Sequence, residues 1–425
     1  MGQVRERINM KISRRQFFKA AAVAAAPLIL PSRILFGAET PSKRITTGHI
    51  GVGGQGGGVL GGFLGVGECQ PVAACDPFKS RAQGAAGRMG NGAKSYQDFR
   101  ELLARDDIDA VVIATPDHWH VPIAIAAVRA GKDVYVEKPL GLSIEQNKAM
   151  RQVVHQYGAI FQYGTQQRCF STHCAFICEL VRNGYIGEVK EIQVLAPSGY
   201  PASGAGNPAP QAVPADLDYQ LWLGPAPVTP YTNDRVVGQG RWFIYDYSIG
   251  FLGGWGAHPL DIAHWGYPHI PVEYEGTGVI PTEGLFDTVV DWDVQGRYAS
   301  GVKFSLKAQN TNNTKFIGTE GWVEASRGGR NASSPALLQT KLKPDDVRLL
   351  QDNNHYRNFI QAVKTRRAPA SDVDSAVQSD FISHLSDIAI RTGHKIQWDE
   401  KKEEIVGDPI GSRMMTRPMR EPWTL

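Results

Sequence analysis

The feature that most constrains the fold is a glycine pattern directly after a short predicted strand. Ile45–Ile50 reads as a strand and runs into Gly51-Val52-Gly53-Gly54-Gln55-Gly56, which opens a Gly-rich helix. In G-x-G-x-x-G the first glycine permits a tight turn, and the second lets the backbone approach a pyrophosphate. The third lets helix and strand pack closely. The sequence therefore predicts a helix start that presents free N–H groups to phosphates.

An acid at the end of the next predicted strand strengthens this interpretation. Asp76 follows Gln70–Cys75 and lies 25 residues after Gly51, where a carboxylate accepts hydrogen bonds from an adenosine ribose. Alone, an Asp before Pro77 is equally typical of a turn. Together the two features predict a bound nicotinamide dinucleotide. The carboxylate would repel a 2′-phosphate, which favours NAD, whereas Lys79 and Arg81 could offset that repulsion and leave NADP possible.

Strands and helices alternate from Arg44 to about Thr165, which predicts a parallel, doubly wound sheet. The predicted strands are Ile45–Ile50, Gln70–Cys75, Ala110–Ala114, Asp133–Val136 and Ile160–Tyr163. The predicted helices are Gly54–Leu64, Lys79–Gly87, Tyr96–Ala104, Val121–Ala130 and Ser143–Tyr157, the last with Ser143 and Gln146 as a capping box.

The pattern changes after about Gly164. We expect a helix at Cys174–Asn183, a strand at Glu188–Leu195 and a loop over Pro197–Gly240. Alternating apolar and polar residues predict three long antiparallel strands, followed by two helices. These are Asp287–Val294, Arg297–Lys307 and Lys315–Ala325, then Tyr356–Lys364 and Ser375–Arg391.

The predicted fold class is α/β, with an N-terminal doubly wound Rossmann domain and a C-terminal α/β domain that has an open, mainly antiparallel sheet. The chain of 425 residues is long enough for two to three domains. We expect a signal segment at 1–38, the Rossmann domain at 39–165, a substrate and oligomerisation domain at 166–400, and an extended C-terminal arm at 401–425.

The N-terminus resembles an export signal. Ser13-Arg14-Arg15-Gln16-Phe17-Phe18-Lys19 precedes an apolar stretch, which predicts a twin-arginine signal and an exported, periplasmic protein without a membrane span in the mature chain. A basic amphipathic arm is the alternative, and a retained anchor stays open because Phe36 suits cleavage after Ala38 poorly. Residues 1–38 hold seven Lys/Arg and one acidic residue. Without them, the 45 basic and 42 acidic residues of the chain become 38 and 41, so the remaining chain has a net charge near −3. The basic pI is therefore no argument for nucleic-acid binding.

The five cysteines do not predict a metal site. Cys169, His173, Cys174 and Cys178 lie close in sequence, but no paired C-x-x-C spacing appears. We expect small apolar helix residues and no metal.

Two further motifs reveal a family resemblance. Thr115-Pro116-Asp117-His118-Trp119-His120 and Glu137-Lys138-Pro139 resemble the turns after the fourth and fifth strands of the Gfo/Idh/MocA oxidoreductases. The resemblance implies that Lys138 lies between nicotinamide and substrate, and that the C-terminal sheet forms a homo-oligomer interface. The cofactor-binding residues predicted by the glycine pattern and this resemblance are Gly51, Gly53, Gln55, Gly56, Asp76, Thr115, Pro116, His120, Glu137, Lys138 and Gln166.

The family's second motif, D-x-G-x-H-x-x-D-x-x-x-W, is matched from Gly254 to Trp265. His258, Asp261 and Trp265 agree, but Gly254 replaces the first Asp, whose carboxylate joins the Lys and His in relatives. The resemblance implies catalytic roles for Lys138 and His258, and for Tyr247, which stands where relatives carry a substrate-facing tyrosine. The substrate-binding candidates are Arg168, Arg241, Asp261 and Trp255.

Three functions remain open from the sequence. The first is an NAD(P)-dependent oxidoreductase that acts on a sugar, glycoside or polyol hydroxyl with a tightly bound, internally recycled cofactor, because no free nicotinamide pool exists outside the cytoplasm. The second is an NAD-dependent glycosidase or lyase that works by transient oxidation, elimination and re-reduction, with Lys138 serving the oxidation and His258 or Tyr247 the C–H abstraction. The third is a non-catalytic sugar-binding protein, against which Lys138 and His258 argue.

Overall fold

The computed structural model describes residues 44–90, 92–170, 172–199, 204–349 and 352–425. The predicted signal segment and its cleavage site lie outside the described residues. Within the described ranges, no helix combines the length and the apolar character needed to cross a bilayer.

Six parallel strands form the N-terminal sheet in the order β3-β2-β1-β4-β5-β6. Their order reverses between β1 and β4, and ligands of such sheets bind in the crevice outside the carboxyl ends at that point. The strands are β1 Ile45–Ile50, β2 Cys69–Cys75, β3 Lys94–Tyr96, β4 Ala110–Ile113, β5 Asp133–Val136 and β6 Phe161–Tyr163. The predicted doubly wound Rossmann domain is thus confirmed.

Helices cover both faces of this sheet at Gly54–Leu64, Lys79–Met89, Phe99–Leu103, His120–Arg129 and Ile144–Tyr157. The prediction of one helix over Tyr96–Ala104 is wrong. Tyr96 ends the edge strand β3, and the helix begins at Phe99, because the Asp98 side chain accepts from the Arg100 backbone N–H and caps it. An edge strand of three residues is too short to reveal its periodicity in sequence.

Nine strands form the C-terminal sheet in the order β13-β12-β11-β7-β10-β9-β8-β14-β15. β7 and β10 pair in parallel and the other neighbours pair antiparallel, so the mainly antiparallel prediction is confirmed. The strands are β7 Val189–Ala196, β8 Glu273–Val279, β9 Asp291–Arg297, β10 Lys303–Ala308, β11 Asn313–Gly318, β12 Trp322–Ser326, β13 Gly329–Ala332, β14 Ile396–Asp399 and β15 Glu404–Ile405.

Two of the predicted long strands are instead interrupted by turns. The stretch 315–325 crosses the β11–β12 hairpin, whose turn contains Gly321 with φ +151°, and 297–307 crosses the β9–β10 turn, where Gly301 has φ +86°. Both glycines adopt a backbone conformation that favours glycine, which ends each strand. The predicted loop over 197–240 also contains the short helices Tyr219–Leu223 and Asn233–Val236.

The longest helix joins the two domains. Val373–Thr392 packs against the C-terminal sheet, and its Asp380 accepts hydrogen bonds from Asn147 Nδ2 at 2.7 Å and from the Tyr163 hydroxyl at 3.1 Å, both in the Rossmann domain. His355–Thr365 instead packs on the Rossmann sheet, where it shares an apolar cluster with Gly54–Leu64. These contacts fix the cleft between the domains. The remaining described helices are Gln167–Phe170, Thr172–Arg182, Phe251–Gly254, Ala257–Gly266, Pro335–Leu338 and Pro409–Arg413, and Asp117–Trp119 and Gly240–Phe243 are 3-10 turns.

The predicted extended arm at 401–425 is wrong in its first half. Strand β15 and the helix Pro409–Arg413, capped by Asp408, occupy that stretch. The segment after it lies on the Rossmann domain, where the Trp423 ring centroid is 4.7 Å from that of Trp119. The tail therefore packs against the turn after β4 instead of projecting away.

Candidate active site

The glycine pattern forms a cradle in which Gly51 and Gly56 leave no room for a side chain. Gly51 has φ +79°, and a Cβ built there would lie 2.6 Å from the Thr115 backbone nitrogen. A Cβ at Gly56 would lie 1.9 Å from the Gly51 carbonyl oxygen. These two glycines therefore hold β1, its helix and the turn after β4 in direct backbone contact, which leaves the helix start open toward the cleft.

A cleft with a volume of about 350 Å³ extends from this cradle between the two domains. Among the predicted cofactor residues, those lining it are Gly51, Gly53, Gln55, Gly56, Asp76, Thr115, Pro116, His120, Glu137 and Lys138. The structure thus brings together residues from the ends of β1, β2, β4 and β5. From the C-terminal domain the cleft is bounded by 221–222 and 236–242, which include Arg241 and Trp242.

Asp76 is buried at the rim of the cradle. Its Oδ2 accepts from the Val52 N–H at 3.0 Å and its Oδ1 from the Phe78 N–H at 2.9 Å. Burial raises the pKa of this carboxyl, an effect that these N–H groups and the charge of Arg81 oppose. Each carboxylate oxygen can accept a further hydrogen bond, which suits the hydroxyls of a ribose.

Several buried polar atoms around the cleft have no hydrogen-bond partner among the described residues. They are Thr115 Oγ1, Asp117 Oδ2 and Glu137 Oε2. His258 Nδ1 also lacks a hydrogen-bond partner among the described residues, but His258 is not among the residues that line the cleft. Buried polar groups are normally satisfied, so such a cluster indicates a ligand rich in donors and acceptors. The cradle, Asp76 and these atoms together fit a nicotinamide dinucleotide.

Lys138 is positioned by the two family turns. Its half-buried side chain lines the cleft, and its Nζ lies 5.8 Å from the Trp242 ring centroid. The His120 ring connects the turns, because Nδ1 lies 2.6 Å from the Pro139 carbonyl oxygen and Nε2 lies 2.9 Å from that of Thr115. Beside Lys138, Glu137 accepts from Gln166 Nε2 at 2.6 Å. Gln166 therefore supports the cleft wall and is not among the residues that line the cleft.

His258 lies in the first turn of the helix Ala257–Gly266 and is 3% exposed. Burial, together with the positive charges of Lys138 and Arg327, holds the pKa of this imidazole well below its usual range. His258 is therefore neutral near pH 7 and is placed where the charge of Lys138 acts on it. Its Nε2 lies 3.4 Å from Arg327 Nη2, and the Trp255 ring centroid is 6.0 Å away.

Three predicted site residues have other partners. Arg168 and Asp261 form a buried bidentate ion pair, with Nε–Oδ2 at 2.7 Å and Nη2–Oδ1 at 2.6 Å, so their charged groups satisfy each other. Tyr247 is fully buried, and its hydroxyl contacts Arg235 Nη1 at 3.1 Å and Thr229 Oγ1 at 3.2 Å. The expected substrate and catalytic roles of these residues do not fit this placement.

The departure from the family motif leaves a space. Gly254 is buried, yet a Cβ built there would meet no described atom within 4 Å. The volume that an Asp side chain would enter is therefore open.

Two further residues near the site were not predicted from the sequence. Asp117 stands inside the quoted T-P-x-x-x-H turn, a signal that was available, whereas Arg327 follows β12 without any local motif.

Comparisons with known proteins agree with this architecture. Residues 45–165 match the oxidoreductase family's NAD-binding Rossmann fold, and residues 170–425 match its C-terminal alpha/beta domain. Residues 11–31 match the twin-arginine translocation signal sequence, which directs export by that route.

Individual relatives cover only part of the chain. A glycosyl hydrolase family 109 protein of Shewanella pealeana is 31% identical over 32% of this chain and 36% of its own length. The scyllo-inositol 2-dehydrogenase (NAD(+)) of Bacillus subtilis is 42% identical over 22% of this chain and 27% of its own. The chain thus spans less than half the length of these curated relatives.

Solved structures share the fold over most of the chain. The WlbA dehydrogenase from Bordetella pertussis, in complex with NADH and UDP-GlcNAcA, has a TM-score of 0.66 at 17% identity and covers 84% of this chain and 99% of its own.

Proposed function

Because the chain belongs to the Gfo/Idh/MocA oxidoreductase family, we propose that it is an exported enzyme that oxidises a hydroxyl of a sugar, glycoside or polyol with a tightly held NAD. The observation that carries this proposal is that Lys138 and the glycine cradle line the same cleft.

The proposed chemistry divides the work between two side chains. When bound, the oxidised nicotinamide accepts the hydride from the carbon that carries the hydroxyl. Lys138 projects into the cleft from the end of β5, where its amine would hydrogen-bond the oxygen of that hydroxyl and, in its neutral form, take the hydroxyl proton. His258 provides a second proton acceptor, since its imidazole is neutral.

We propose NAD in preference to NADP. The buried carboxylate of Asp76 would repel a 2′-phosphate. Arg81 forms no direct ion pair with Asp76 in the described part of the chain. Its guanidinium stacks on Phe78, with Cζ 3.8 Å from the ring centroid. It also approaches Gly53, because a Cβ at that glycine would lie 3.4 Å from Arg81 Nη1. This position favours the phosphates of the cradle over the 2′ position.

A second candidate is cleavage of a glycoside with internal recycling of NAD. The glycosyl hydrolase family 109 names among the relatives favour it, and so does export, which separates the enzyme from a free cofactor pool. In this scheme His258 would take the proton of the acidified C–H after oxidation, and the aglycone would leave as an alcohol once it is protonated. Reduction of the ketone would then give an unsaturated sugar, as in a lyase, or the hydrolysed sugar if water first adds to the enone. A bound NAD would supply the hydride acceptor for the oxidation and return the same hydride in the reduction. The open volume at Gly254 would accommodate the additional group of a glycoside.

We also propose that the partners are limited to a small sugar or glycoside and to further copies of this chain. The face of the nine-stranded sheet turned away from the helices carries half-exposed side chains and is the proposed contact between copies. The domain limits 39–165 and 166–400 are kept as part of the proposal.

The test begins with the purified full chain. NAD(H) released by acid is expected at close to one molecule per chain, and a protein that contains none and binds none would refute the proposal. Activity is then measured on a panel of 4-nitrophenyl glycosides and free sugars. Aglycone release without net NADH formation supports the glycosidase, and dependence on a carbonyl acceptor supports the oxidoreductase.

Lys138→Ala is expected to abolish turnover while the bound cofactor is retained. Lys148→Ala serves as the matched control, because Lys148 pairs with Glu145 on the helix Ile144–Tyr157. Near-normal activity of Lys138→Ala would show that the assignment is wrong.

A further inference from the structure

Arg241 is a C-terminal-domain residue at the cofactor cleft. It belongs to the 3-10 turn Gly240–Phe243 and lines the cleft that also contains the glycine cradle. Gly238, Gln239 and Trp242 of the same segment line the cleft beside it. The segment therefore forms a wall opposite the phosphate-binding turn.

The positive charge of Arg241 acts on the Rossmann side of this cleft. Arg241 lines the same cleft as Asp76 and Asp117, which follow β2 and β4, and its charge opposes the rise in pKa that burial causes in both carboxyls. The pKa of Arg241 itself is lowered, first by burial and also by the like charge of Arg81. Arg81 also lines this cleft, so two guanidinium-bearing residues from different domains face the same space.

Neither guanidinium forms a direct ion pair with a carboxylate among the described residues, although the charges of both act on Asp76. Arg241 donates from Nη1 to the Gly238 carbonyl, which occupies one of its five N–H donors. Arg81 stacks on Phe78 beside Gly53. Two converging cations next to open backbone N–H groups suit a ligand with two negative charges, and guanidinium groups bind phosphates in a bidentate manner.

We infer that Arg241 binds the pyrophosphate of the dinucleotide together with Arg81, so that the C-terminal domain holds the cofactor in the Rossmann cradle. This rests on the proposed function, because it takes the cleft as the NAD site. It also reassigns Arg241, which the sequence analysis placed against the substrate. Release of the cofactor then requires the segment 236–242 to withdraw, which would keep the cofactor bound between turnovers.

The experiment compares Arg241→Gln with Arg297→Gln in the full chain. Arg297 is an exposed arginine on β9 whose Nη1 also donates to a main-chain carbonyl, that of Gly301 at 3.2 Å, so it controls for loss of such a bond. The measurements are the NAD retained after gel filtration, and the affinities for NAD, ADP-ribose and adenosine from quenching of tryptophan fluorescence.

For Arg241→Gln we expect a loss of affinity of about ten- to a hundredfold for NAD and ADP-ribose, with adenosine unchanged. Arg241→Lys should recover part of it, and Arg297→Gln should match the wild type. NAD binding within twofold of the wild type would overturn the inference, as would an equal loss for adenosine. A wild-type protein that binds no NAD would instead refute the proposed function, which keeps the two failures distinct.

Discussion

The pairing of Arg168 with Asp261 leads to a prediction that separates a structural role from a substrate-binding role. The two side chains are 4% and 0% exposed and share two hydrogen bonds, at 2.7 and 2.6 Å. Asp261→Asn removes the negative charge and leaves the guanidinium buried. Removing one partner of a buried ion pair costs about 3–5 kcal/mol, because the remaining charge has lost its compensation.

The two single variants should lose different amounts of unfolding free energy. In Asp261→Asn the amide oxygen can still accept one hydrogen bond, so we expect a loss near about 3 kcal/mol. In Arg168→Met a carboxylate is left buried without its partner, and the loss should approach about 5 kcal/mol. The double variant Arg168→Met/Asp261→Leu should recover much of the stability, since it buries no charge.

The assay is urea unfolding of cofactor-saturated protein, followed by tryptophan fluorescence at one protein concentration. The refuting result is specific. If Asp261→Asn unfolds within about 1 kcal/mol of the wild type while its KM for a sugar rises, the carboxylate binds substrate and the structural interpretation fails.

Three further predictions concern glycine packing and pH. Gly56→Ala should abolish NAD retention, because its Cβ would lie 1.9 Å from the Gly51 carbonyl oxygen, whereas Gly58→Ala, with no described atom within 4 Å, should retain NAD on gel filtration. Gly254→Ala should change the melting temperature little, while Gly256→Ala, whose Cβ would lie 1.9 Å from the Leu252 carbonyl oxygen, should lower it strongly. The free energy of unfolding should decrease as the pH falls below about 6.5. Burial lowers the pKa of several histidines in the folded state, so the unfolded chain binds protons at a higher pH than the folded chain does. Each of these histidines lowers the free energy of unfolding by up to about 1.4 kcal/mol per pH unit until the pH reaches its folded-state pKa. A melting temperature that stays constant from pH 7 to pH 5 would contradict this prediction. These histidines are His49, His118 and His264, each with pKa about 3, His355 with pKa about 4, and His258 with pKa well below its usual range.

Local signals accounted for the cofactor half of the site. The strand, the glycine pattern and Asp76 lie within one β-α-β unit. Because these residues are close in the chain, the dinucleotide site could be predicted from their spacing. Lys138 was assigned through the family resemblance of the Glu137-Lys138-Pro139 turn, which directly follows β5. Strands buried on both faces, such as β4, were visible as unbroken apolar runs.

The substrate half depended on contacts that no local pattern encodes. Arg168 and Asp261 are 93 residues apart, and Arg327 reaches His258 across 69 residues. Tyr247 was assigned by analogy of position, but packing against His118 and Trp222 and its bonds to Arg235 and Thr229 place it in the core.

The sequence by itself indicated the alternation of strands and helices in the Rossmann domain, the phosphate cradle and the export signal, because each depends on residues that are neighbours in the chain. Only the tertiary structure decided which charged groups remain available to a ligand. A buried charged group pairs with the opposite charge that the packing places next to it. Arg168 therefore forms an ion pair with Asp261, whereas Arg241 remains at the cleft.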